Sequence, residues 1–209
     1  MKNILLIGST GKMGEMIKKN IPSPFYIEDS IDLSSSLVKD KQYYAVLDFS
    51  SPKGTMTYAP IFISRHIPYI AGTTGLTNRM IETLKKLCEE HHSYFNLVPN
   101  FNLSFNAFIN SLIEVKKNFD SALIEEWHNI TKKDLPSGSA LAIQEALEPL
   151  KVKFVVHRIN KTKFIHKVTL FSSTDLYKAK HIVLDRVGYM KGIVFALNNI
   201  SPFGFKNGL

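Results

Sequence analysis

The first half of the chain alternates between short apolar segments and helical segments, and this alternation restricts the fold more than any other feature. Segments that are apolar on both faces are typical of strands buried in the middle of a sheet. Their alternation with helices predicts a parallel, doubly wound sheet of the Rossmann-like α/β class. The predicted strands cover residues 3–7, 25–27, 44–49, 69–71 and 94–98. The predicted helices between them cover residues 15–19, 55–65 and 78–90.

A glycine-rich loop follows the first predicted strand directly. Residues 8–14 read Gly-Ser-Thr-Gly-Lys-Met-Gly, so the glycines have the spacing G-x-x-G-x-x-G. Glycines at this place permit a tight turn and let backbone amides approach a pyrophosphate at the N-terminus of the next helix. This glycine loop therefore predicts a dinucleotide-binding site.

An acidic side chain normally follows the second strand of such a site, where it binds the adenosine ribose. Glu28 and Asp29 follow the predicted second strand, closer to the glycine loop than the usual ~20 residues. No arginine lies beside them, so a 2′-phosphate would meet Glu28 unshielded, which favours NADH over NADPH. A solvated acidic turn is the alternative interpretation.

Loops of small or polar residues follow four of the predicted strands. In sheets of this class, ligands bind beyond the carboxyl ends of the strands. We therefore expect the four loops to form one cofactor cleft. They are residues 8–14, 50–52, 72–75 and 99–101.

The second half of the chain contains a candidate anion site at the start of a helix. An apolar strand that includes residues 122–124 leads to a turn in which we place His128 and Lys132. Ser137 can cap the helix that follows, so that the amides of its first turn face outward at the positive end of the helix dipole. Such an end binds anions, and Lys132 would add a second positive charge. A surface loop with solvated lysines and a capped helix remains the alternative.

The pattern changes beyond residue 149, where three predicted strands follow one another without helices. They indicate a smaller α+β domain with a mixed sheet, and an apolar sheet of so few strands predicts burial against another subunit. We expect a final helix over residues 188–199 and a frayed tail over 201–209. The predicted domains are 1–103, completed by about 188–209, and 104–187. The three strands are residues 154–156, 164–171 and 180–184.

Charge and composition exclude several classes of protein. The net charge of +8 favours an anionic partner, but the 26 basic residues are spread along the chain without a nucleic-acid motif. A cofactor with phosphates or an acidic substrate explains the charge, and we predict no nucleic-acid partner. No apolar run approaches the ~20 residues that span a bilayer, and the start does not resemble a signal peptide. The lone Cys88 fits a reducing cytoplasm, and no Cys/His cluster has the spacing of a zinc site, so no metal site is predicted.

Several of these motifs occur together, and in this order, in one family. The chain resembles the dihydrodipicolinate reductases (4-hydroxy-tetrahydrodipicolinate reductases) of bacterial lysine and diaminopimelate synthesis over nearly its whole length. The resemblance rests on residues 8–14, 47–52, 72–75 and 99–101 and, most specifically, on 128–140. It implies a dinucleotide domain completed by the C-terminal helix, and a substrate domain whose sheet forms a homotetramer. It also implies NAD(P)H-dependent hydride transfer to a small cyclic dicarboxylate, with loss of water.

The resemblance further implies the residues of the site. His128 matches the family's acid/base histidine and Lys132 its proton-donor lysine, roles that suit charge created by hydride addition and a carboxylate substrate. Gly138 and Ser139 match the pair that holds a substrate carboxylate, and Asn129 stands at a substrate-contacting position. The implied cofactor contacts are Gly8, Ser9, Thr10, Gly11, Lys12, Met13, Glu28, Gly72, Thr73, Thr74, Val98, Pro99, Asn100 and Phe101.

The sequence departs from the family pattern at several positions. Asn129 replaces a second histidine and cannot carry its charge, and Ser139 replaces a threonine but keeps the hydroxyl. Ile130 and Thr131 stand where basic residues are usual, so the loop has lost positive charge. The glycines expected within 158–166 are absent, which leaves the geometry of that turn open.

Two other functions are compatible with the sequence. One is a related NAD(P)-dependent oxidoreductase that acts on a different dicarboxylate. The other is a non-catalytic protein that senses dinucleotides. Asn129 and the altered loop favour these alternatives, whereas the presence of both His128 and Lys132 argues against the sensor.

Overall fold

The computed structural model describes residues 1–32, 41–160 and 163–209. The turn within 158–166 therefore lies partly outside the described residues. The strands are β1 (Lys2–Ile7), β2 (Phe25–Ile31), β3 (Ala45–Asp48), β4 (Tyr69–Ala71), β5 (Tyr94–Leu97), β6 (Ser121–Asn129), β7 (Lys151–Ile159), β8 (Phe164–Phe171), β9 (Leu176–Val183) and β10 (Gly204–Asn207). The helices are α1 (Lys12–Asn20), α2 (Pro52–Ile63), α3 (Asn78–Glu90), α4 (Leu103–Val115), α5 (Gly138–Leu147) and α6 (Met190–Asn198). Short 3-10 turns cover Lys116–Asn118 and Arg186–Tyr189.

The chain divides into two compact units. The first comprises Met1–Phe101 together with Tyr189–Leu209, and the second comprises Asn102–Gly188. The chain therefore enters the second unit after β5 and returns to the first just before α6.

The first unit is built on a parallel sheet with the strand order β10-β5-β4-β3-β1-β2. Alternate side chains of a strand point to opposite faces of a sheet. In this sheet both faces are buried. Leu6 belongs to a core cluster that includes residues of α1 and α6, and Leu5 to a second cluster with residues of α2 and α3. This arrangement confirms the predicted doubly wound, Rossmann-like sheet.

Two predictions about the edges of this sheet are wrong. β2 extends to Ile31, because an edge strand is half solvated and tolerates the polar residues that follow Ile27. The tail is not frayed over its whole length: Gly204–Asn207 forms β10, which pairs in parallel with β5. Phe205 stacks on Phe95, with ring centroids 5.6 Å apart and the ring planes at 9°, and this packing holds β10 in place.

The second unit is a mixed sheet with helices on one face. Its strand order is β7-β6-β8-β9, with β6 and β7 parallel and the other pairs antiparallel, which confirms the predicted mixed sheet. Burial alternates strictly along β6, so that Ala122, Ile124, Glu126 and His128 lie on the inner face. The inner face packs against α4 and α5 in a core cluster around Ile124 and Leu112.

The other face of this mixed sheet is its outer face. It carries half-exposed apolar side chains such as Val155, Phe171 and Ile182. The basic side chains between them are Lys151, Lys153, Lys167, Lys178 and Lys180. Among the described residues, no helix is long and apolar enough to cross a bilayer.

Candidate active site

The predicted cofactor loops meet at the carboxyl edge of the parallel sheet. The strand ladders continue into the loops through backbone hydrogen bonds between neighbouring strand ends. The Gly8 amide donates to the carbonyl oxygen of Ile31 at 2.9 Å, and the Phe49 amide donates to the carbonyl oxygen of Ile7 at 2.9 Å. Towards β5, the Gly72 amide donates to the backbone carbonyl oxygen of Asp48 at 2.7 Å, and the Val98 amide donates to the carbonyl oxygen of Ala71 at 2.8 Å. The loops after β1, β3, β4 and β5 therefore line one edge.

The glycine loop has the geometry of a phosphate cradle. Gly8 has a φ of +78°, and a Cβ there would lie 2.6 Å from the carbonyl oxygen of Phe49. Only glycine fits this position. α1 begins at Lys12, and its N-cap residue, Gly11, makes no side-chain capping bond. The first-turn amides of α1 are thus not bound by a capping side chain, which fits a bound pyrophosphate.

A buried carboxylate organises two of the loops. Asp48 is completely buried at the end of β3 and accepts hydrogen bonds from Thr55 Oγ1 at 2.6 Å and from the Tyr69 hydroxyl at 2.7 Å. It also accepts from the amide and the hydroxyl of Ser50. Thr55 Oγ1 is also hydrogen-bonded to Thr73 Oγ1 at 3.0 Å, where it accepts because its one hydrogen is directed at Asp48. The loops after β3 and β4 are thereby fixed relative to each other.

The predicted cofactor contacts differ in how a ligand could reach them. Val98 and Phe101 are buried in the core, so a cofactor could touch only their backbone. Ser9 and Thr73 are also buried. Gly8, Met13, Gly72 and Asn100 are half-buried, and the exposed members are Thr10, Gly11, Lys12, Thr74 and Pro99.

The prediction that Glu28 follows the second strand is wrong. Glu28 lies in the middle of β2, at an irregularity where Ile4 pairs with residue 27 and Leu5 with residue 29. Its carboxylate accepts from Asn3 Nδ2 at 2.6 Å and pairs with Lys41 Nζ at 2.7 Å. Glu28 therefore faces the amino-terminal part of β1, away from the glycine loop.

A different acid stands at the end of β2. Asp32 directly follows Ile31, whose carbonyl oxygen accepts the hydrogen bond from Gly8. Asp32 therefore lies beside the glycine loop, at a sequence distance from it that is close to the usual ~20 residues. Asp32 was not among the predicted site residues, because the second strand was predicted four residues too short.

His128 lies inside β6 and not, as predicted, in the turn after it. Its side chain is on the inner face and only 5% exposed. The imidazole packs against Phe164, at 5.6 Å between ring centroids, and against His166, at 5.1 Å. Lys132 does lie in the turn that follows β6, where its amide donates to the carbonyl oxygen of Asn129 at 2.9 Å.

The start of α5 holds a carboxylate of this chain. Lys132 Nζ lies 2.9 Å from Asp134 Oδ2, and the Gly138 amide also hydrogen-bonds Asp134. Burial raises the pKa of Asp134, but these hydrogen bonds and the charge of Lys132 outweigh it and lower the pKa overall. The lysine and the helix N-terminus predicted to bind an anion thus already bind one.

A fully buried carboxylate, Glu126, connects this region to the strand that carries His128. Ser137 caps α5 through a 3.2 Å hydrogen bond from the Ala140 amide, as predicted. The Ser137 hydroxyl donates to Glu126 Oε2, and its amide donates to Glu126 Oε1 at 3.1 Å. Arg158 donates to Glu126 Oε1 at 2.8 Å. Glu126 was not among the predicted site residues, because an acid in an apolar strand carries no signal of its role in the sequence.

Two histidines face the same carboxylate. His128 Nδ1 is 3.5 Å, and His166 Nε2 is 3.7 Å, from Glu126 Oε2. Burial lowers the pKa of His128 to about 4, with Glu126 acting in the opposite direction and Lys132 and Arg158 in the same one. Burial, with the neighbouring His128, lowers the pKa of His166 to about 3. Both imidazoles are therefore neutral at neutral pH.

The spacing of Glu126, His128 and His166 could also hold a metal ion, because donor atoms of all three lie within 4.8 Å of one another. However, the Glu126 oxygens already accept hydrogen bonds from Arg158 and Ser137. A metal ion would have to displace these donors beside a guanidinium charge. The hydrogen-bond network therefore accounts for the cluster without an ion.

Asn129, predicted to contact substrate, does not join this group. Its Oδ1 accepts from the amide and the hydroxyl of Thr131, each at 3.0 Å, and so fixes the turn after β6. Strand alternation places Asn129 on the outer face, opposite to His128. Trp127 lies on the outer face too, stacked on His157 at 4.6 Å between ring centroids.

The buried neutral histidines predict a pH-dependent stability. The folded pKa values of His128 and His166 lie below the ordinary value of about 6.5, so the unfolded chain binds more protons as the pH falls below about 6.5. The free energy of unfolding should therefore decrease towards pH 4, by up to ~1.4 kcal/mol per pH unit for each histidine. Urea unfolding across this range measures the slope. His92→Asn, which removes an exposed histidine, should leave it unchanged, and a flat profile between pH 7 and pH 5 would contradict the assignment.

Family profiles match both units of the chain. The N-terminal profile of dihydrodipicolinate reductase matches residues 25–101, and the C-terminal profile of the same family matches residues 102–207. The glycine loop precedes the first matched segment. The 4-hydroxy-tetrahydrodipicolinate reductase of Coxiella burnetii is 26% identical in an alignment that covers 97% of this chain and 95% of that protein.

Another relative and a solved structure agree with these matches. The 4-hydroxy-tetrahydrodipicolinate reductase of Gloeothece citriformis is 26% identical over 81% of this chain and 72% of its own length. A dipicolinate-bound dihydrodipicolinate reductase from Paenisporosarcina shares the fold, with a TM-score of 0.81 and 16% identity over 100% of this chain and 98% of that one. The chain therefore belongs to the dihydrodipicolinate reductase family, whose members are NAD(P)H-dependent oxidoreductases.

Proposed function

We propose that the protein reduces 4-hydroxy-tetrahydrodipicolinate to tetrahydrodipicolinate with NAD(P)H, in lysine and diaminopimelate biosynthesis. In this reaction the ring gains a hydride and a proton and loses water. The observation that carries the proposal is the pairing of Lys132 and the Gly138 amide around a single carboxylate, close in sequence to the buried His128. A dicarboxylate substrate would place one of its carboxylates against the same two groups.

The electrostatics favour Lys132 as the proton donor. The His128 imidazole is neutral at neutral pH and so holds no surplus proton, whereas Lys132 carries an ammonium group. A neutral His128 can still hydrogen-bond the substrate and accept a proton. Lys132 would therefore both attract the substrate and donate the proton, with Gly138 and Ser139 as the carboxylate-binding pair at the start of α5.

The first unit suits a dinucleotide cofactor, which supplies the hydride when bound. The glycine loop and the uncapped first turn of α1 would hold the pyrophosphate, with the loops that contain Thr73 and Asn100 beside them. We propose Asp32 in place of Glu28 as the partner of the adenosine ribose, because Asp32 follows the strand end next to Gly8. A carboxylate at this place favours NADH, since it would repel the 2′-phosphate of NADPH.

We further propose a cytoplasmic homo-oligomer, a tetramer by family resemblance, assembled through the outer face of the mixed sheet. The half-exposed Val155, Phe171 and Ile182 give this face an apolar surface that a second copy would bury. The lysines between them repel one another, so association should strengthen as salt screens their charges. Sedimentation velocity at low and high salt tests this assembly.

Steady-state rates test the proposed reaction. NADH oxidation should require freshly generated 4-hydroxy-tetrahydrodipicolinate and should be inhibited competitively by dipicolinate, the planar dicarboxylate. The ratio of kcat/KM for NADH to that for NADPH tests the cofactor preference, and Asp32→Ser should lower this ratio. Oxidation supported equally well by unrelated cyclic monocarboxylates would contradict the proposed substrate.

The carboxylate of Asp134 should compete with the substrate for Lys132. Replacing Asp134 by Asn frees the ammonium group and the Gly138 amide, so dipicolinate should bind more tightly. The ion pair is half exposed and is therefore worth up to ~1 kcal/mol, which corresponds to up to ~5-fold in affinity. Calorimetric titration of dipicolinate measures the change. Glu145→Gln removes the same charge from an exposed position on α5 and is the matched control. Weaker binding to Asp134→Asn would show that Asp134 supports the site and does not block it.

A further inference from the structure

We propose that Glu126 is the positioning residue of the active site. A single buried carboxylate would hold three parts of the site in one geometry. These parts are the start of α5, the ring of His128, and the loop that carries Lys132 (residues 130–136, the lysine loop). The inference rests on the proposed function, and it adds a residue to which the sequence motif gave no role. Glu126 is on the inner face of β6, two residues before His128, and is completely buried.

The first connection is to the anion-binding end of α5. Glu126 accepts hydrogen bonds from both the amide and the hydroxyl of Ser137, and the Ser137 hydroxyl also caps the helix by accepting from Ala140. The N-terminus of α5 is therefore fixed to β6 through one side chain. Because Gly138 directly follows Ser137, the position of its amide depends on this connection.

The second connection is to the lysine loop, through Arg158 on β7. Arg158 Nη2 donates to Glu126 Oε1 at 2.8 Å and to the carbonyl oxygen of Asp134 at 2.7 Å. Arg158 Nε donates to the carbonyl oxygen of Lys132 at 3.3 Å. The guanidinium group thus holds the backbone of the loop on both sides of residue 133, and Glu126 holds the guanidinium group.

The third connection is to His128. Among the described residues, no hydrogen-bond partner is found for the buried His128 Nδ1, and this atom faces Glu126 Oε2 at 3.5 Å. A carboxylate accepts hydrogen bonds and donates none, so it favours the tautomer that carries its proton on Nδ1. That tautomer leaves Nε2 as the acceptor. Catalytic hydrogen bonds are often long without substrate and shorten when it binds, which fits the 3.5 Å separation.

A glutamate is required here because three of its neighbours donate to it. Ser137, Arg158 and the Nδ1 tautomer of His128 each direct a hydrogen at the carboxylate. A glutamine has the same shape but offers one oxygen and directs an NH2 group at these donors. Glu126→Gln should therefore keep the packing while it removes the common acceptor.

The Glu126→Gln variant tests the proposal with two readouts. The first is the 15N NMR spectrum of the histidine rings, which reports the tautomer independently of any activity. Wild-type His128 should show the Nδ1-protonated form, and the variant should show a mixture or the other tautomer. The second readout is steady-state kinetics, where kcat should fall at least ~10-fold while the Kd for NADH changes by less than ~2-fold. Glu126→Asp, which keeps the charge, should recover part of the kcat and the wild-type tautomer.

The outcomes separate the positioning role from the proposed reaction. If wild-type protein shows no turnover but Glu126→Gln shifts the His128 tautomer and weakens dipicolinate binding, the reaction is wrong and the positioning role stands. A folded Glu126→Gln variant with unchanged tautomer and unchanged kcat would overturn the positioning role. Should Glu126→Gln not fold, Ser137→Ala replaces it. This variant loses one donor and should weaken dipicolinate binding without changing the His128 tautomer; an unchanged dipicolinate Kd would then count against the proposal.

Discussion

Lys132→Ala should lose turnover while it keeps the cofactor. The side chain supplies the ammonium group that faces a carboxylate at 2.9 Å, and its loss removes both the proton donor and the charge that attracts the substrate. General acid catalysis is worth ~10²–10⁴-fold, so kcat should fall at least ~100-fold. The dinucleotide should bind as before, because its predicted contacts are in the other unit. Steady-state kinetics and NADH fluorescence titration measure the two effects.

Lys133→Ala is the matched control for this experiment. Lys133 is the next residue and is exposed, and its replacement by alanine removes the same charge from the same loop. Its kcat should stay within ~2-fold of wild type. A reductase that acts on another dicarboxylate would lose turnover of its own substrate in Lys132→Ala as well, whereas a dinucleotide sensor would lose nothing. Equal rates for Lys132→Ala and Lys133→Ala would exclude Lys132 as the proton donor.

Gly192→Ala should destabilise the first unit strongly. Gly192 lies on α6, where an added Cβ would come 1.8 Å from the carbonyl oxygen and 2.7 Å from the carbonyl carbon of Phe101. Backbone cannot move aside as a flexible side chain can, so the helix or the loop after β5 must shift. Overpacking of this kind costs ~3 kcal/mol, which corresponds to a Tm lower by ~10 °C at this chain length. The affinity for NADH should fall too, because residues 98–101 are predicted cofactor contacts.

Differential scanning calorimetry with Gly188→Ala as control checks this prediction. A Cβ at Gly188 would meet nothing closer than 4.0 Å, so the same chemical change should be tolerated there. Alanine is favoured over glycine inside a helix by ~1 kcal/mol, which works against the predicted loss at Gly192. A Gly192→Ala variant with the Tm of wild type or higher would show that α6 does not press on the loop after β5.

The fold was predictable where burial dominates and not at the edges of the sheets. Central strands such as β1 and β3 are buried on both faces, so residues 4–7 and 45–47 form apolar runs that can be recognised in the sequence. β2 and β10 are edge strands, whose half-solvated positions admit polar residues. β10 depends on pairing with β5 and on the stacking of Phe205 on Phe95. Such non-local contacts leave no periodic signal in the sequence.

The same reasoning separates the predicted and the missed parts of the site. Ser137 was predictable as a cap because a cap is a local pattern at the start of a helix. Glu126 was not, because its partners Arg158 and His166 come from strands whose register against β6 cannot be read from the sequence. Glu28 was misplaced for a local reason, since β2 is an edge strand that continues through the polar residues after Ile27 and ends at Ile31, next to Asp32.

Transfer of deuterium from the cofactor tests the central claim most directly. Protein incubated with 4-hydroxy-tetrahydrodipicolinate and NADH deuterated at the transferred position of C4 should yield tetrahydrodipicolinate that carries the label, as detected by mass spectrometry. Lys132→Ala should form this product at least ~100-fold more slowly. Unlabelled product, or labelled product formed equally fast by Lys132→Ala, would contradict hydride transfer at a site in which Lys132 donates the proton.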